Sequence, residues 1–171
     1  MGEIIHTVAP SPNSPHDVPP VQRLALAPDN PHMVQAAILL DREIQHSVVF
    51  DTANAARIIR KYINLRAQAY GIIEPENGAI ASVGMLLPNY NGGHVVSALA
   101  TTPEYRGRGY ATAILDKLGA VATELGSEYL FLSAQPNTKA FYEERGFESA
   151  HRHNALNYLM RKNLFAEQTA E

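Results

Sequence analysis

The chain has 171 residues, 46% of them hydrophobic and 18% charged, a length and balance that fit one folded domain and exclude an intrinsically disordered protein. Its net charge of −3 and lack of a long basic run argue against a nucleic-acid partner. No apolar stretch is long enough to span a membrane, and the absence of cysteine excludes disulfides, thiolate metal sites and a cysteine nucleophile.

The first residues show neither a basic region followed by an apolar core nor a complete acylation motif, since His6 stands where Ser or Thr is required. A cytoplasmic protein without membrane attachment is expected. Residues 1–20 contain Pro10, Pro12, Pro15, Pro19 and Pro20, which fix φ and remove backbone donors, so this segment reads as a flexible lead-in. A single domain is expected over 21–165, followed by a frayed tail at 166–171.

The domain begins with a short strand over Val21–Ala27, and Pro28 and Pro31 bracket a turn. Met33, Ala36, Ala37, Leu40 and Ile44 recur at helical spacing and predict a helix over His32–His46. A second helix is predicted over Thr52–Gln68. Tyr70–Glu74 and Ala79–Leu87 read as strands joined at Glu76-Asn77-Gly78, a strong hairpin signal that leaves Glu74 and Glu76 in solvent. After a turn over Asn89–Gly93, His94–Thr101 reads as a strand buried on both faces.

Ala111, Ile114, Leu115, Leu118, Val121, Ala122 and Leu125 then follow a helical repeat without a gap, with Gly126 placed to end it. Tyr129–Ala134 predicts a central strand. Asn137 is placed to cap a helix over Thr138–Arg145 that Gly146 ends, and Phe147–Ala150 and Leu156–Arg161 predict the closing strands.

The segment Val95–Leu125 is a buried strand, a turn of glycine and arginine, and an amphipathic helix. Gly107 and Gly109 permit a tight turn and close approach of a ligand, and the helix start behind them offers free N–H groups and a positive dipole end. Arg106 and Arg108 add planar donors suited to phosphate. A pyrophosphate-bearing ligand is the natural occupant. The pattern is not a dinucleotide fingerprint, because Thr112 holds the third glycine position, and no Gly-Lys-Ser or Gly-Lys-Thr makes it a P-loop.

From about Tyr70 to Arg161 the chain resembles the GNAT superfamily of N-acetyltransferases. The family's pyrophosphate loop reads Gln/Arg-x-x-Gly-x-Gly/Ala, and Arg106, Gly109 and Ala111 match it in register. Asn137, Phe141-Tyr142-Glu143 and Gly146-Phe147 match a second family pattern at the customary distance. The resemblance implies a mixed α/β (α+β) fold: a mostly antiparallel sheet of six to seven strands with a splayed pair, flanked by about four helices.

It also implies acetyl-CoA as co-substrate and no metal. A bulge at Leu99, Ala100 and Thr101 is expected to expose backbone groups to the pantetheine arm. The amides of Gly107, Arg108, Gly109, Tyr110, Ala111 and Thr112 are expected at the pyrophosphate, Asn137 at the pantetheine unless it serves only as a cap, and Tyr142 at the thioester sulfur as general acid. Pocket depth near Met85, Leu99 and Phe131 would set acyl length.

The expected reaction is direct attack of an amine on the thioester. Holding an alkylamine neutral at pH 7 costs about 4–5 kcal/mol, so a base or a desolvated site is needed. The strand before the loop has no carboxylate, a departure from one family variant, which leaves His94 as the candidate base or a surface turn residue. His151 and His153 are candidate substrate contacts or loop decoration.

In the family the acceptor pocket corresponds to residues 45–54 and 151–156, which contain His46, Asp51, Asn54, Arg152 and Asn154. This mixture fits a small polar amine. A protein N-terminus as acceptor, or an acyl-CoA-binding module without turnover, are the alternatives. The apolar closing strands could pair across a homodimer.

Overall fold

The computed structural model describes residues 18–44, 52–88, 92–152 and 157–165. Seven strands form one sheet in the order β1-β2-β3-β4-β5-β7-β6. These are β1 (Gln22–Leu24), β2 (Gln68–Ile73), β3 (Ile80–Pro88), β4 (Gly93–Thr101), β5 (Tyr129–Ala134), β6 (Glu148–Arg152) and β7 (Tyr158–Asn163). Every neighbouring pair is antiparallel except β4 and β5. Four α-helices accompany them: α1 (Pro31–Ile44), α2 (Thr52–Asn64), α3 (Tyr110–Glu124) and α4 (Lys139–Glu143). The expected fold class is the observed one.

Two apolar clusters sandwich the sheet. Met33, Ala36, Ala37 and Leu40 of α1 and Ala55, Ile58 and Ile59 of α2 pack with Val83 and Met85 in the first. Tyr110, Ile114, Leu115, Leu118, Val121 and Ala122 of α3 pack with Leu130, Leu132, Phe147 and Met160 in the second. Covered by both layers, β3 is buried continuously from Ile80 to Leu86. Strand β4 is buried on both faces as expected, though not continuously: Val96 packs in the second cluster and Ala98 and Ala100 in the first, while Ser97 is exposed and Leu99 and Thr101 are half-buried.

Several boundaries differ from the sequence expectation for local reasons. The α2 helix ends at Asn64, because Arg66 adopts a left-handed φ of 55° and the Ala67 amide turns back to the Tyr62 carbonyl, freeing Gln68 to open β2. The β2–β3 connection is longer than a two-residue turn. The Gly78 amide donates to the Glu74 carbonyl at 2.8 Å, the Glu74 amide to Ala79 at 2.9 Å, and Asn77 Oδ1 receives the Ala79 amide at 3.0 Å. That geometry folds Glu74 inward. It is 7% exposed rather than solvated.

The α4 helix is a short five-residue turn, and Asn137 does not cap it; Thr138 stands at the cap position and donates its hydroxyl to the Gln135 carbonyl.

Candidate active site

Strands β4 and β5 pair only from Gly93↔Tyr129 to Val96↔Leu132. Beyond Val96 the pairing ends, which leaves Leu99–Thr101 of β4 without a partner on that side. A register shift against β3 coincides with the parting, since Met85 faces Ala98 while Leu86 faces Val96. Ser97 is therefore the bulged residue, two positions before the expected Leu99. The reason is local: an extra residue kinks and twists the strand just where its partner is lost. Tyr62 of α2 hydrogen-bonds Ser97 from the first helical layer, and its burial raises the phenol pKa above the usual tyrosine value.

The strand leads through a short 3-10 turn, Pro103–Tyr105, into the glycine-arginine turn. Gly107 and Gly109 have φ of 74° and 82°, a left-handed backbone that other residues adopt only with strain. Gly109 is the N-cap of α3 and provides no side-chain cap, so the first amides of the helix stay available. Behind the turn, the Tyr110 phenol contacts the Glu74 carboxylate and the Arg108 guanidinium; burial first, then Glu74, pushes its pKa up to about 12. Tyr105 stacks on Tyr110 with centroids 6.1 Å apart, and Arg108 lies 5.2 Å over the Tyr105 ring. One carboxylate oxygen of Glu74, Oε1, is buried without a hydrogen-bond partner.

Two adjoining cavities flank this turn. The first is lined by Thr101, Arg106, Gly107, Gly109, Tyr110, Ala111, Thr112, Phe141 and Arg145 among others. The second is lined by Glu43, Leu99, Ala100, Thr101, Arg106, Thr138 and Tyr142 together with Ile44, Ala111 and Phe141. Thr101, Arg106, Ala111 and Phe141 border both, so the two form one continuous trough. It runs from the glycine-arginine turn to the Tyr142 side chain.

Tyr142 is half-buried, edge-on to Phe141 at 5.1 Å and to Phe147 at 5.9 Å between centroids. Burial raises its pKa, and the nearby Arg145 offsets this in part. Arg145 donates from Nε to Thr112 Oγ1 at 2.9 Å and from Nη1 to the Phe141 carbonyl at 2.6 Å. It thus ties α4 to the first turn of α3.

Most expected site residues therefore converge. Leu99, Ala100, Thr101, Arg106, Gly107, Gly109, Tyr110, Ala111, Thr112 and Tyr142 all line the trough. Asn137 is exposed and borders neither cavity, with Thr138 in its place. Arg108 faces Tyr105 instead of the trough. His94 stands where β4 and β5 are still paired, opposite Pro88 and Leu130, seven residues and roughly 23 Å of strand from Thr101. Its Nδ1 is hydrogen-bonded to Ser127 Oγ, and burial lowers its pKa. The structure does not bring it to Tyr142.

His46, Asp51, His153 and Asn154 lie outside the described residues, as do the side chains of His151 and Arg152. Asn54 is held by Asp41 of α1 and accepts two bonds from Arg57. Among the described residues no cluster of metal-ligating side chains occurs, and no helix is long and apolar enough to cross a membrane.

Sequence reasoning missed Glu43, Ser97 and Arg145. Arg145 alone left a signal, sitting one residue before the Gly146-Phe147 pair. Glu43 binds Arg42 through Oε1 at 2.9 Å and Arg106 through Oε2. Arg106, expected to be free for phosphate, is thus already paired across the trough, and its Nε donates to the Thr101 carbonyl at 3.3 Å.

A sheet whose two parallel strands part beside a glycine-arginine turn and a helix start is the frame of an acyltransferase fold. The family model described as Acetyltransferase (GNAT) family matches residues 36–147, and the chain belongs to that family. An acetyltransferase from Thermus thermophilus superposes with a TM-score of 0.66 at 14% identity, covering 85% of this chain and 98% of that one. A GNAT-family acetyltransferase from Staphylococcus aureus gives 0.64 at 16% identity, covering 84% and 99%. The PaiA N-acetyltransferase of Thermoplasma acidophilum, solved in complex with coenzyme A, gives 0.62 at 14% identity, covering 84% and 97%. At these identities the likeness is one of fold. No curated protein sequence matches the chain significantly.

Proposed function

We propose that the protein transfers an acetyl group from acetyl-CoA to the primary amine of a small molecule by direct attack. The observation that carries this reading is the continuous trough from the amides behind Gly107 and Gly109 to Tyr142. Its two ends have the chemistry the two ends of the cofactor need. The pyrophosphate meets free N–H groups, the positive end of α3 and Arg106. The pantetheine arm runs along Leu99–Thr101 in the gap where β4 has lost its parallel partner. The coenzyme A bound to the Thermoplasma relative supports the same ligand class.

At the thioester, Tyr142 is the group that meets the departing sulfur. Burial keeps its proton on throughout the neutral range. A phenol of reference pKa about 10 gives its proton to a thiolate of about 8.5 at a cost near 2 kcal/mol, and a raised phenol pKa increases that cost. Tyr142 therefore acts chiefly by a hydrogen bond that strengthens as charge builds on sulfur, completing proton transfer late. No ionisable base is assigned. The half-buried trough favours the neutral amine by desolvating it.

The test is calorimetric titration of acetyl-CoA into the wild type and into Gly109→Glu, whose side chain would project a negative charge from the turn. Micromolar binding lost in the variant, followed by thiol release with a panel of small amines, supports the reading. A folded wild type that does not bind acetyl-CoA refutes it.

A further inference from the structure

We propose that a third cavity, between α3 and strands β5 and β7, is a second ligand site that takes a small α-amino acid with an apolar side chain. The proposal does not depend on the cofactor reading, since this cavity shares only Arg145 with the trough. Along α3, Gly119 stands ten residues past Gly109, about 15 Å from the glycine-arginine turn.

The cavity has a volume of about 250 Å³. Its apolar wall is made by Leu115 of α3, Leu130 of β5, Phe147 and Leu164, all buried core residues. Gly119 opens it. This glycine lies inside the 15-residue α3, where glycine weakens a helix relative to alanine. Packing does not call for it, because a Cβ there would come no closer than 3.9 Å to Leu130 Cδ2 and Leu164 Cδ2. The space a side chain would take belongs to the cavity instead.

The rim carries charges of both signs. Arg145 and Lys162 stand together at one end, with Lys162 Nζ 3.8 Å from where a Cβ on Gly146 would be. Asp116 lies on α3, one turn beyond the Thr112 hydroxyl that Arg145 Nε reaches at 2.9 Å. Side chains so spaced have Cβ atoms about 5–6 Å apart. Among the described residues Asp116 nevertheless forms no ion pair, and Arg145 approaches only Glu144, at 3.6 Å.

Opposite charges held apart over an apolar wall match a zwitterion with an apolar side chain. Its carboxylate meets the two cations, the guanidinium offering parallel donors. Its ammonium meets Asp116, and its side chain covers Leu115, Leu130 and Phe147, the few-polar-groups-on-an-apolar-wall pattern of small-molecule sites. An apolar carboxylate without the ammonium meets only half of this rim, and so does an apolar amine.

Calorimetric titration of L-leucine, L-phenylalanine, 4-methylpentanoate, 3-methylbutylamine and L-glutamate into the full chain tests this. Leucine or phenylalanine should bind with a Kd below about 1 mM. That affinity should be at least about tenfold tighter than for the other three, which lack one charge or the apolar side chain. Saturating coenzyme A should not displace the amino acid. Gly119→Leu, whose side chain fills the cavity, should abolish amino-acid binding, with near-UV circular dichroism reporting that the variant is folded. Asp116→Asn, on the exposed rim, should weaken leucine about tenfold and leave 4-methylpentanoate unchanged; it decides the matter if Gly119→Leu does not fold. Absence of binding by the wild type, binding undiminished in either folded variant, or equal binding of leucine and 4-methylpentanoate overturns the proposal. Displacement by coenzyme A puts the amino acid in the trough and overturns it as well.

Discussion

Arg145 lays its guanidinium 3.6 Å above the centroid of the Phe141 ring while its Nε reaches Thr112 on the first turn of α3. The helix that carries Tyr142 is only five residues long, too short to hold itself in place, so this contact positions it. Arg145→Ala is expected to weaken acetyl-CoA binding about tenfold and to cost about 1–2 kcal/mol of stability. Arg145→Lys should recover less than half, because an ammonium has neither the plane nor the fork. Calorimetry and urea unfolding read both effects.

Gly84 on β3 lies directly beneath Ile114 and Leu118 of α3. A Cβ there would stand 2.5 Å from Ile114 Cγ2 and 3.0 Å from Leu118 Cδ1, which are fully buried and cannot withdraw. Gly84→Ala should destabilise the protein by about 1–3 kcal/mol through overpacking. A lowered urea midpoint with unchanged slope is the expected result.

Tyr142→Phe keeps the ring contacts with Phe141 and Phe147 and removes only the hydroxyl. If the hydroxyl serves the departing sulfur, kcat should fall by about 10²–10⁴, with acetyl-CoA affinity within twofold of wild type. Calorimetry beside steady-state kinetics separates the two. A kcat within threefold of wild type would remove Tyr142 from the chemistry.

Stability should fall at both ends of the pH scale, for different residues. Tyr62, Tyr110 and Tyr142 all have raised pKa values, the largest about 12 at Tyr110. Their stabilising contribution is intact below the unfolded value near 10 and is lost as pH rises from there toward about 12. His94 is lowered by burial, so its contribution is intact above about 6.5 and is lost as pH falls through its folded pKa. Urea midpoints measured across pH should show both limbs. Tyr110→Phe should flatten the alkaline limb and His94→Gln the acid one.

Cofactor binding should also be visible as stability. Acetyl-CoA at a hundred times its Kd should add about 2.7 kcal/mol to the unfolding free energy. Gly109→Glu should abolish that gain. Thermal melts with and without ligand suffice.

The sequence showed the elements whose information is local. The α3 stripe at Ile114, Leu115, Leu118, Val121 and Ala122 was readable because every member faces one layer, although Leu125 proved exposed and Tyr110 took the leading place. The turn at Arg106–Ala111 was readable because glycine and arginine there serve one local geometry.

What stayed hidden depends on partners distant in sequence. Glu43 and Arg106 are 63 positions apart, and neither sits in a pattern that names the other. The bulge at Ser97 follows from the register of β3, which no residue of β4 encodes. Glu74 beside Asn77-Gly78 looks like a turn acid, and only the longer turn and Tyr110 turn it inward.

That inward carboxylate bears on how the site recognises its ligand. Glu74 and Tyr110 grip the turn from behind, and Tyr105 and Arg108 stack against the same side. The loop proposed to meet the cofactor is thus held in shape by contacts within the protein itself. Association should then carry little entropy loss from ordering the chain. Its rate should be set by diffusion and by charge steering toward the turn, falling with ionic strength, with no slow conformational phase after first encounter.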